Sequence, residues 1–246
     1  MGIYLNSDDT DFRSAVKYSR IYVDKTELIR YTNSVLFGEQ KYICVSRPRR
    51  FGKSMAANML TAYYSRGCDS RGLFQGLKIA THPDFEKHLN QYNVIHLNMR
   101  DYLTESENMK QLIQFVEDDL LDELQQEFSD LRMPRRKTLV KVLEQAFVQY
   151  KIPFVFIIDE WDCIFRVHKS DAASQKDYLD FLRNLLKDKS YIALAYMTGI
   201  LPIKKYGEHS AINVFYEYSM TDASPIEEFT GFTEQEVRQL CEQYNM

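Results

Sequence analysis

The sequence predicts an α/β protein built as a three-layer sandwich around a mainly parallel, five-stranded sheet. Short apolar segments rich in strand-forming residues alternate with longer segments of helical periodicity. The most apolar segment, 153–160, shows no polar alternation, which is typical of a parallel strand covered on both faces. Polar motifs follow three of the apolar segments, and ligands of such folds bind at the carboxyl ends of the strands. We therefore expect one functional rim.

The predicted elements begin with a helix that starts at Asp24 and ends at Gly38. Asp24 and Glu27 have the spacing of a capping box. One face of this helix carries Leu28, Thr32, Val35 and Leu36. Residues 41–46 form the first predicted strand, and residues 53–64 form the helix that follows it.

The middle of the chain predicts a second strand at 93–99, two helices at about 105–128 and 138–150, and a third strand at 153–160. The positions predicted to be buried in the two helices are Leu112, Ile113, Val116, Leu120, Leu124, Leu139, Val142, Leu143, Ala146 and Phe147. A helix at 171–187, a strand at 191–199 and a last strand at 214–220 complete the predicted sheet. Thr233 and Glu236 have capping-box spacing and open a final helix.

Composition excludes several classes of protein. The chain has 246 residues, of which 45% are hydrophobic and 27% charged, as in globular proteins with a substantial core. Its net charge of −4 argues against a chain-wide basic surface for nucleic acid. The four cysteines form no C-x-x-C pair, so neither a zinc site nor a disulfide framework is indicated. No signal peptide or membrane span is visible, and we expect a cytoplasmic protein.

Residues 46–55, SRPRRFGKSM, resemble the end of a phosphate-binding loop. In such a loop, backbone N–H groups and the following helix N-terminus face the phosphates. Gly52 would allow close approach, Lys53 would reach the β- and γ-phosphates, and Ser54 would offer its hydroxyl to Mg²⁺. Arg47 stands where the first glycine of the motif is expected. The alternative for this segment alone is a strand–turn–helix junction with exposed basic residues.

A second motif follows the apolar strand at 153–160, where Asp159 and Glu160 resemble a Walker B pair. Asp159 would hold Mg²⁺, and Glu160 would orient and deprotonate the attacking water. Adjacent residues of an extended segment point to different sides, so the two acids would have different tasks. Acids at a strand end can also merely start a loop. The occurrence of both motifs in this order on one rim favours a nucleotide site.

Beyond these motifs, several segments resemble the predicted AAA-ATPase-like family, which is related to archaeal and STAND-type P-loop ATPases. They are YVDKTELI (22–29), SRPRRFGKSM (46–55), RGLFQGLKI (71–79), FIIDEWD (156–162), MTGILPI (197–203) and GFTEQEV (231–237). The family's usual loop has Arg47 in this place, so the resemblance explains the missing glycine. Trp161 stands where the family commonly has tyrosine, which keeps the aromatic character.

The resemblance implies an ASCE-type P-loop NTPase sandwich, in which one strand, 191–198, lies between the loop strand and the Walker B strand. Thr198 would then sense the γ-phosphate, or would be only a turn residue before Gly199. The residues implied to contact the nucleotide are Arg47, Pro48, Arg49, Arg50, Phe51, Gly52, Lys53, Ser54 and Met55. Ser54 and Asp159 are the implied metal ligands, and Glu160, Lys53 and Thr198 the implied catalytic residues.

Other side chains near these motifs have two interpretations each. Arg166, Lys204 and Lys205 could stabilise charge as fingers, although we expect solvent exposure for each. Asp162 would either support the magnesium from outside its ligand shell or cap the following turn.

The implied function is ATP binding and Mg²⁺-dependent hydrolysis. Residues 1–230, including a helical lead-in, are expected to form the ATPase domain, and residues 231–246 the start of a C-terminal helix that belongs to a truncated lid or to a next domain. The alternative is a nucleotide-dependent switch with little turnover, which controls a partner or a C-terminal nuclease-like domain of the kind found in relatives. A homo-oligomer, and nucleic acid reached through a further domain, are implied partners. A kinase is less favoured because the chain has no signature for a phosphate acceptor, and a GTPase because it has no N-K-x-D motif. A DNA-binding module is less favoured because the net charge is negative.

Overall fold

The computed structural model describes residues 2–203 and 213–245, in which five parallel strands form one sheet of order β2-β3-β4-β1-β5. The strands are β1 (Tyr42–Ser46), β2 (Asn93–Asn98), β3 (Phe154–Asp159), β4 (Ile192–Gly199) and β5 (Tyr216–Tyr218). β4 lies between β1 and β3, with Cys44 opposite Met197 and Phe156 opposite Ala195. The predicted fold class and the inserted strand are confirmed.

Helices cover both faces of the sheet. The longer helices and short helical turns are α1 (Thr10–Tyr18), α2 (Glu27–Val35), α3 (Lys53–Tyr64), α4 (Arg71–Phe74), α5 (Phe85–His88), α6 (Met99–Glu105), α7 (Met109–Glu127), α8 (Leu139–Tyr150), α9 (Cys163–Val167), α10 (Ala172–Leu186) and α11 (Glu234–Tyr244). α1 to α5 pack on one face with Val155 and Ile157, and α6 to α10 pack on the other with Phe154, Phe156 and Ile158. This alternation follows from the two-residue period of strands.

The first predicted helix differs from the observed one at both ends. α2 begins at Glu27, because Asp24 does not cap it. The Asp24 carboxylate accepts hydrogen bonds from the Thr26 backbone N–H and hydroxyl through Oδ1, at 2.8 and 2.6 Å, and from the Lys78 N–H through Oδ2, at 2.7 Å. At the other end Phe37, and not Gly38, adopts the left-handed backbone, with φ of 64°.

The helix predicted at about 105–128 is α7, and a short helix that the sequence analysis missed, α6, precedes it; an asparagine caps each of the two. Asn98 Oδ1 accepts from the Arg100 N–H at 3.1 Å, and Asn108 Oδ1 accepts from the Gln111 N–H at 3.0 Å. Of the residues predicted to be buried in α7 and α8, Ile113 and Phe147 are only partly buried. The sequence analysis also missed α1, whose Phe12 is buried against Phe74 at a ring-centroid distance of 5.3 Å.

Residues near both ends of the chain contact the rest of the fold. Asn6 N–H donates to Val94 O at 2.7 Å, and His96 N–H donates to Tyr4 O at 2.8 Å, so an N-terminal segment covers the edge of β2. The capping box that opens α11 is present, with both Thr233 and Glu236 hydrogen bonds formed. Glu236 also pairs with Lys25 at 2.6 Å. None of the helices in the described ranges is long and apolar enough to cross a membrane.

Candidate nucleotide-binding site

The loop between β1 and α3 has the backbone that a phosphate-binding loop requires. After Ser46 the chain turns through residues 47–52 and enters α3 at Lys53. Arg50 and Gly52 adopt the left-handed conformation, with φ of 69° and 75°. A β-carbon on Gly52 would meet no atom within 4 Å, so the space around this glycine is open. The N-terminus of a 12-residue helix follows the loop, which favours an anion there.

Lys53 crosses the loop with a nearly buried side chain. Its Nζ donates to Arg47 O and to Pro48 O, both at 3.0 Å. Burial lowers the pKa of Lys53, and the nearby carboxylates of Glu160 and Asp159 oppose this shift. The ammonium group is therefore held by the carbonyls of the loop.

Arg47 turns its guanidinium away from the loop and into the protein. The side chain is 3% exposed, and burial lowers its pKa. Nε donates to Thr230 Oγ1 at 3.1 Å, and Nη1 donates to Tyr218 O at 2.9 Å and to Ser46 O at 3.2 Å. At the far end of the loop, Gly231 N–H donates to Phe51 O at 2.8 Å. Residues 230 and 231 thus hold both ends of the loop.

Replacing Arg47 by glycine is expected to lower stability without improving nucleotide binding. The change restores the general loop motif but leaves Tyr218 O and the Thr230 hydroxyl without their buried donor, which costs about 2 kcal/mol or more. Urea unfolding and ATP titration of the same variant measure both quantities. Arg135→Gly is the matched control, because Arg135 is an exposed arginine of a loop outside the candidate site. A large gain in ATP affinity for Arg47→Gly would show that the loop is a degraded site.

The carboxyl ends of β3 and β4 bring Asp159 and Thr198 together. Asp159 is 5% exposed and Thr198 is fully buried. Thr198 Oγ1 donates to Asp159 Oδ1, which also accepts from the Glu160 N–H at 2.9 Å. Thr198 therefore contacts an acid of the candidate site through its side chain. A residue that only formed the turn before Gly199 would not need this hydrogen bond.

Glu160 leaves the sheet with a left-handed backbone, φ of 55°, and not in the extended conformation that the sequence analysis assumed. Its carboxylate forms an ion pair with the Arg166 guanidinium. Arg166 Nε also lies 3.2 Å from Oδ2 of the fully buried Asp162. Arg166 is thus paired and mostly buried, in contrast to its expected exposure. Lys204 and Lys205 lie outside the described residues.

Asp162 anchors the segment that follows β4. Its Oδ2 accepts from the Leu201 N–H at 2.8 Å, and it forms no side-chain cap on α9. Next to it, a β-carbon on Gly199 would lie 2.6 Å from Trp161 Nε1. The tryptophan therefore packs directly on the end of β4. The cap on the following turn that the sequence offered for Asp162 is not formed, and its support of magnesium stays a prediction.

A polar cleft of about 450 Å³ opens beside the loop, and both Ser54 and Asp159 line it. Its other polar lining residues include Asn58, Thr61, His96, Asn98 and Asp101. Within the described ranges no cluster of three or more histidine, cysteine or acidic residues could hold a metal ion by protein ligands alone. Mg²⁺ in nucleotide sites commonly takes one or two protein ligands together with phosphate oxygens and water. Ser54 and Asp159 fit that pattern.

An apolar pocket of about 240 Å³ lies on another side of the loop. Its lining residues are Phe12, Ile21, Tyr22, Val23, Lys25, Arg50, Phe51, Gly52, Met55, Ala56, Met59, Phe229, Gly231 and Phe232. The sequence analysis assigned no site role to 21–25 or 229–232. Two segments that it singled out, YVDKTELI and GFTEQEV, converge here from opposite ends of the chain. The exposed or half-buried aromatic residues of these two segments were the sequence feature that could have indicated a pocket here.

The chain is similar to a known protein family and, more weakly, to solved structures. A family model described as predicted AAA-ATPase matches residues 9–207. No curated protein matches significantly. Among solved structures, the chain is similar to the ORC1 protein of Aeropyrum pernix in complex with DNA, with 14% identity and a TM-score of 0.46. That match covers 95% of this chain and 53% of the other, so the chain spans about half the length of the ORC1 chain. Because the family model matches most of its length, the chain belongs to the predicted AAA-ATPase family.

Proposed function

We propose that the chain binds ATP with Mg²⁺ at the 47–54 loop and hydrolyses the γ-phosphate. One observation carries the proposal: Ser54, in the first turn of α3, and Asp159, the last residue of β3, line one polar cleft beside the loop. A hydroxyl and a carboxylate that could hold Mg²⁺ therefore face the same space, next to a loop whose backbone suits an anion. Membership of a predicted ATPase family supports nucleotide binding by this loop.

In this proposal each residue has a separate task. The loop N–H groups and Lys53 neutralise phosphate charge, and Ser54 with Asp159 would hold the magnesium, which would supply further positive charge to the reacting phosphoryl group. Water attacks the γ-phosphorus, the bond from that phosphorus to the bridging oxygen breaks, and ADP leaves with the electron pair. Glu160 accepts the proton that the water loses. Thr198 orients Asp159 through its hydrogen bond.

The experiment that tests this function is phosphate release by the purified chain, with and without Mg²⁺, beside titration with a fluorescent ATP analogue. We expect saturable binding and release that stops when EDTA removes the metal. Failure to bind ATP would contradict the whole proposal. Binding without release would favour the switch module, the second candidate, for which the Glu160–Arg166 ion pair is the specific observation.

We further propose that the base of the nucleotide occupies the apolar pocket beside the loop. The pocket borders Phe51 and Gly52 and is lined mainly by aromatic and aliphatic side chains, as base-sized ligands prefer. Residues 21–25 and 229–232 line it from two sides, and the Lys25 ammonium donates to the carbonyl of Glu228, directly before the second segment, at 2.5 Å. Nucleotide in this pocket would touch both segments.

Gly231→Ala is expected to weaken binding of ATP more than binding of inorganic tripolyphosphate. A β-carbon there would lie 2.9 Å from Phe51 Cδ1, so the Phe51 ring, which lines the pocket, must shift. Gly76→Ala is the matched control, because Gly76 also has a positive φ, 90°, but no atom within 4 Å of an added β-carbon. Both variants carry a left-handed backbone cost of about 1–2 kcal/mol. Equal losses for ATP and tripolyphosphate would exclude the pocket as the base site.

The resemblance also implies a second copy of the chain and nucleic acid reached through a further domain as partners. Both remain hypotheses that rest on the family alone.

A further inference from the structure

We propose that a groove between helices α7, α8 and α10 binds a basic loop of a second copy of this chain, so that two copies pair through this surface. The groove has a volume of about 380 Å³. The basic loop is the segment 132–137, RMPRRK, which leads into α8. No residue that lines the groove also lines the polar cleft or the apolar pocket beside the 47–54 loop. The inference therefore concerns a surface other than the candidate nucleotide site.

The apolar lining of the groove comes from three helices. Ile113 lies on α7, Val140 lies in the first turn of α8, and Phe181 lies on α10. Ile113 and Val140 are only partly buried within the chain. Apolar surface that stays accessible in a concave groove gains stability when another surface covers it. The groove therefore offers both space and apolar area to a segment of a second molecule.

The polar lining of the groove carries an excess of negative charge. It includes the carboxylates of Glu117, Asp177 and Asp180 and one cation, Lys110. These four side chains form no ion pair or hydrogen bond within residues 2–203 and 213–245. Burial raises the pKa of the half-buried Glu117, and the charge of Asp118 raises it further. Because a cation close to these acids would stabilise their charged forms, the groove favours a positively charged occupant.

The chain itself carries a matching cationic segment beside the groove. The basic loop has four cationic side chains, those of Arg132, Arg135, Arg136 and Lys137, and all four are exposed. In the part of the chain that the structure describes, none of the four forms an ion pair. The loop ends two residues before Leu139, which lines the groove. The loop thus lies next to its own groove in the sequence but leaves the acids there unpaired.

Two complementary surfaces that lie side by side favour a dimer with two-fold symmetry. In such a dimer, each contact that one copy makes to the other is repeated in the opposite direction. A basic loop that enters the groove of the second copy therefore brings the loop of that copy to the first groove, and the charge pairing forms twice. The family resemblance does not say which surface a second copy would use. The charges of the groove and the loop point to this one.

Sedimentation velocity of the full chain, without nucleotide, tests the inference with charge reversals on each side. The groove variant is Glu117→Arg/Asp180→Arg, and the loop variant is Arg135→Glu/Arg136→Glu. We expect the parent to dimerise as its concentration rises. Each variant should need a concentration at least about 10-fold higher, because like charges that face each other weaken association. An equimolar mixture of the two variants should dimerise like the parent, since each loop then meets a groove of opposite charge.

The matched control is Lys17→Glu/Lys87→Glu, which should dimerise like the parent. Both lysines are exposed, and they lie on α1 and α5, which cover the other face of the sheet. If the groove variant does not fold, Asp177→Arg, at an exposed residue of the same groove, replaces it.

Three results would overturn the inference. A parent chain that stays monomeric at every concentration would leave the groove to a basic segment of a different protein. Dimers that persist in either the groove variant or the loop variant would place the contact on another surface. A mixture that stays monomeric would show that the groove and the loop do not meet. Because sedimentation is measured without ATP, its outcome is independent of the phosphate-release assay that tests the proposed function.

Discussion

Replacing Lys53 by alanine is expected to weaken ATP binding about 10- to 100-fold, because charge-assisted hydrogen bonds contribute about 1.5–3 kcal/mol each. The lysine is 6% exposed, and its Nζ bonds to two loop carbonyls, so it is already directed into the loop. Burial lowers its pKa, and phosphate charge beside it would favour the cation again. Titration with fluorescent ATP measures the affinity.

Thermal melting separates lost binding from a damaged fold. A ligand that binds only the folded state raises its stability in proportion to the logarithm of ligand concentration over Kd. We expect ATP to raise the melting temperature of the parent and of Lys141→Ala, an exposed lysine paired with Glu144 on α8. The same ATP concentration should raise the melting temperature of Lys53→Ala much less. Equal shifts in all three proteins would show that the 47–54 loop is not the phosphate site.

The sheet was predictable from the sequence because its strands are nearly uniform in burial. All six residues of β3 and all eight of β4 are buried, and such runs are typical only of parallel strands covered on both faces. Helix ends were less predictable. Asp24 has the sequence spacing of a cap but bonds to Lys78 N–H, 54 residues away, and no local pattern reports that partner.

The candidate site was predictable in its chain positions but not in its side-chain contacts. The motifs located Lys53, Ser54 and Asp159 on one rim, since the carboxyl ends of parallel strands share one edge. The sequence could not indicate that Arg47 faces Thr230, because that contact joins residues 183 positions apart. Nor could it indicate the pairing of Glu160 with Arg166, which depends on the left-handed backbone of a residue with a β-carbon.

The pair Asp159 and Glu160 should divide binding from chemistry. Asp159 lines the polar cleft together with Ser54, and its Oδ1 is fixed by Thr198 and by the Glu160 N–H. Asparagine keeps these hydrogen bonds but removes the charge that a divalent cation needs. Asp159→Asn should therefore weaken Mg²⁺-dependent ATP binding as well as turnover. Titration with ATP in the presence of Mg²⁺, and again in EDTA, should show that the loss is confined to the metal-bound nucleotide.

Glu160→Gln should instead leave ATP binding intact and lower turnover about 10²–10⁴-fold, the usual contribution of a general base. Glutamine keeps the size and hydrogen-bonding capacity of the side chain, so the turn into α9 is preserved, while the proton acceptor is lost. Single-turnover phosphate release measures the chemical step, and Glu144→Gln, on the distant helix α8, controls for the loss of an acid. Hydrolysis at the parent rate would mean that Glu160 is not the base. The chain would then act as a switch whose state follows bound nucleotide, and the pairing of Glu160 with Arg166 would be a structural contact of that switch.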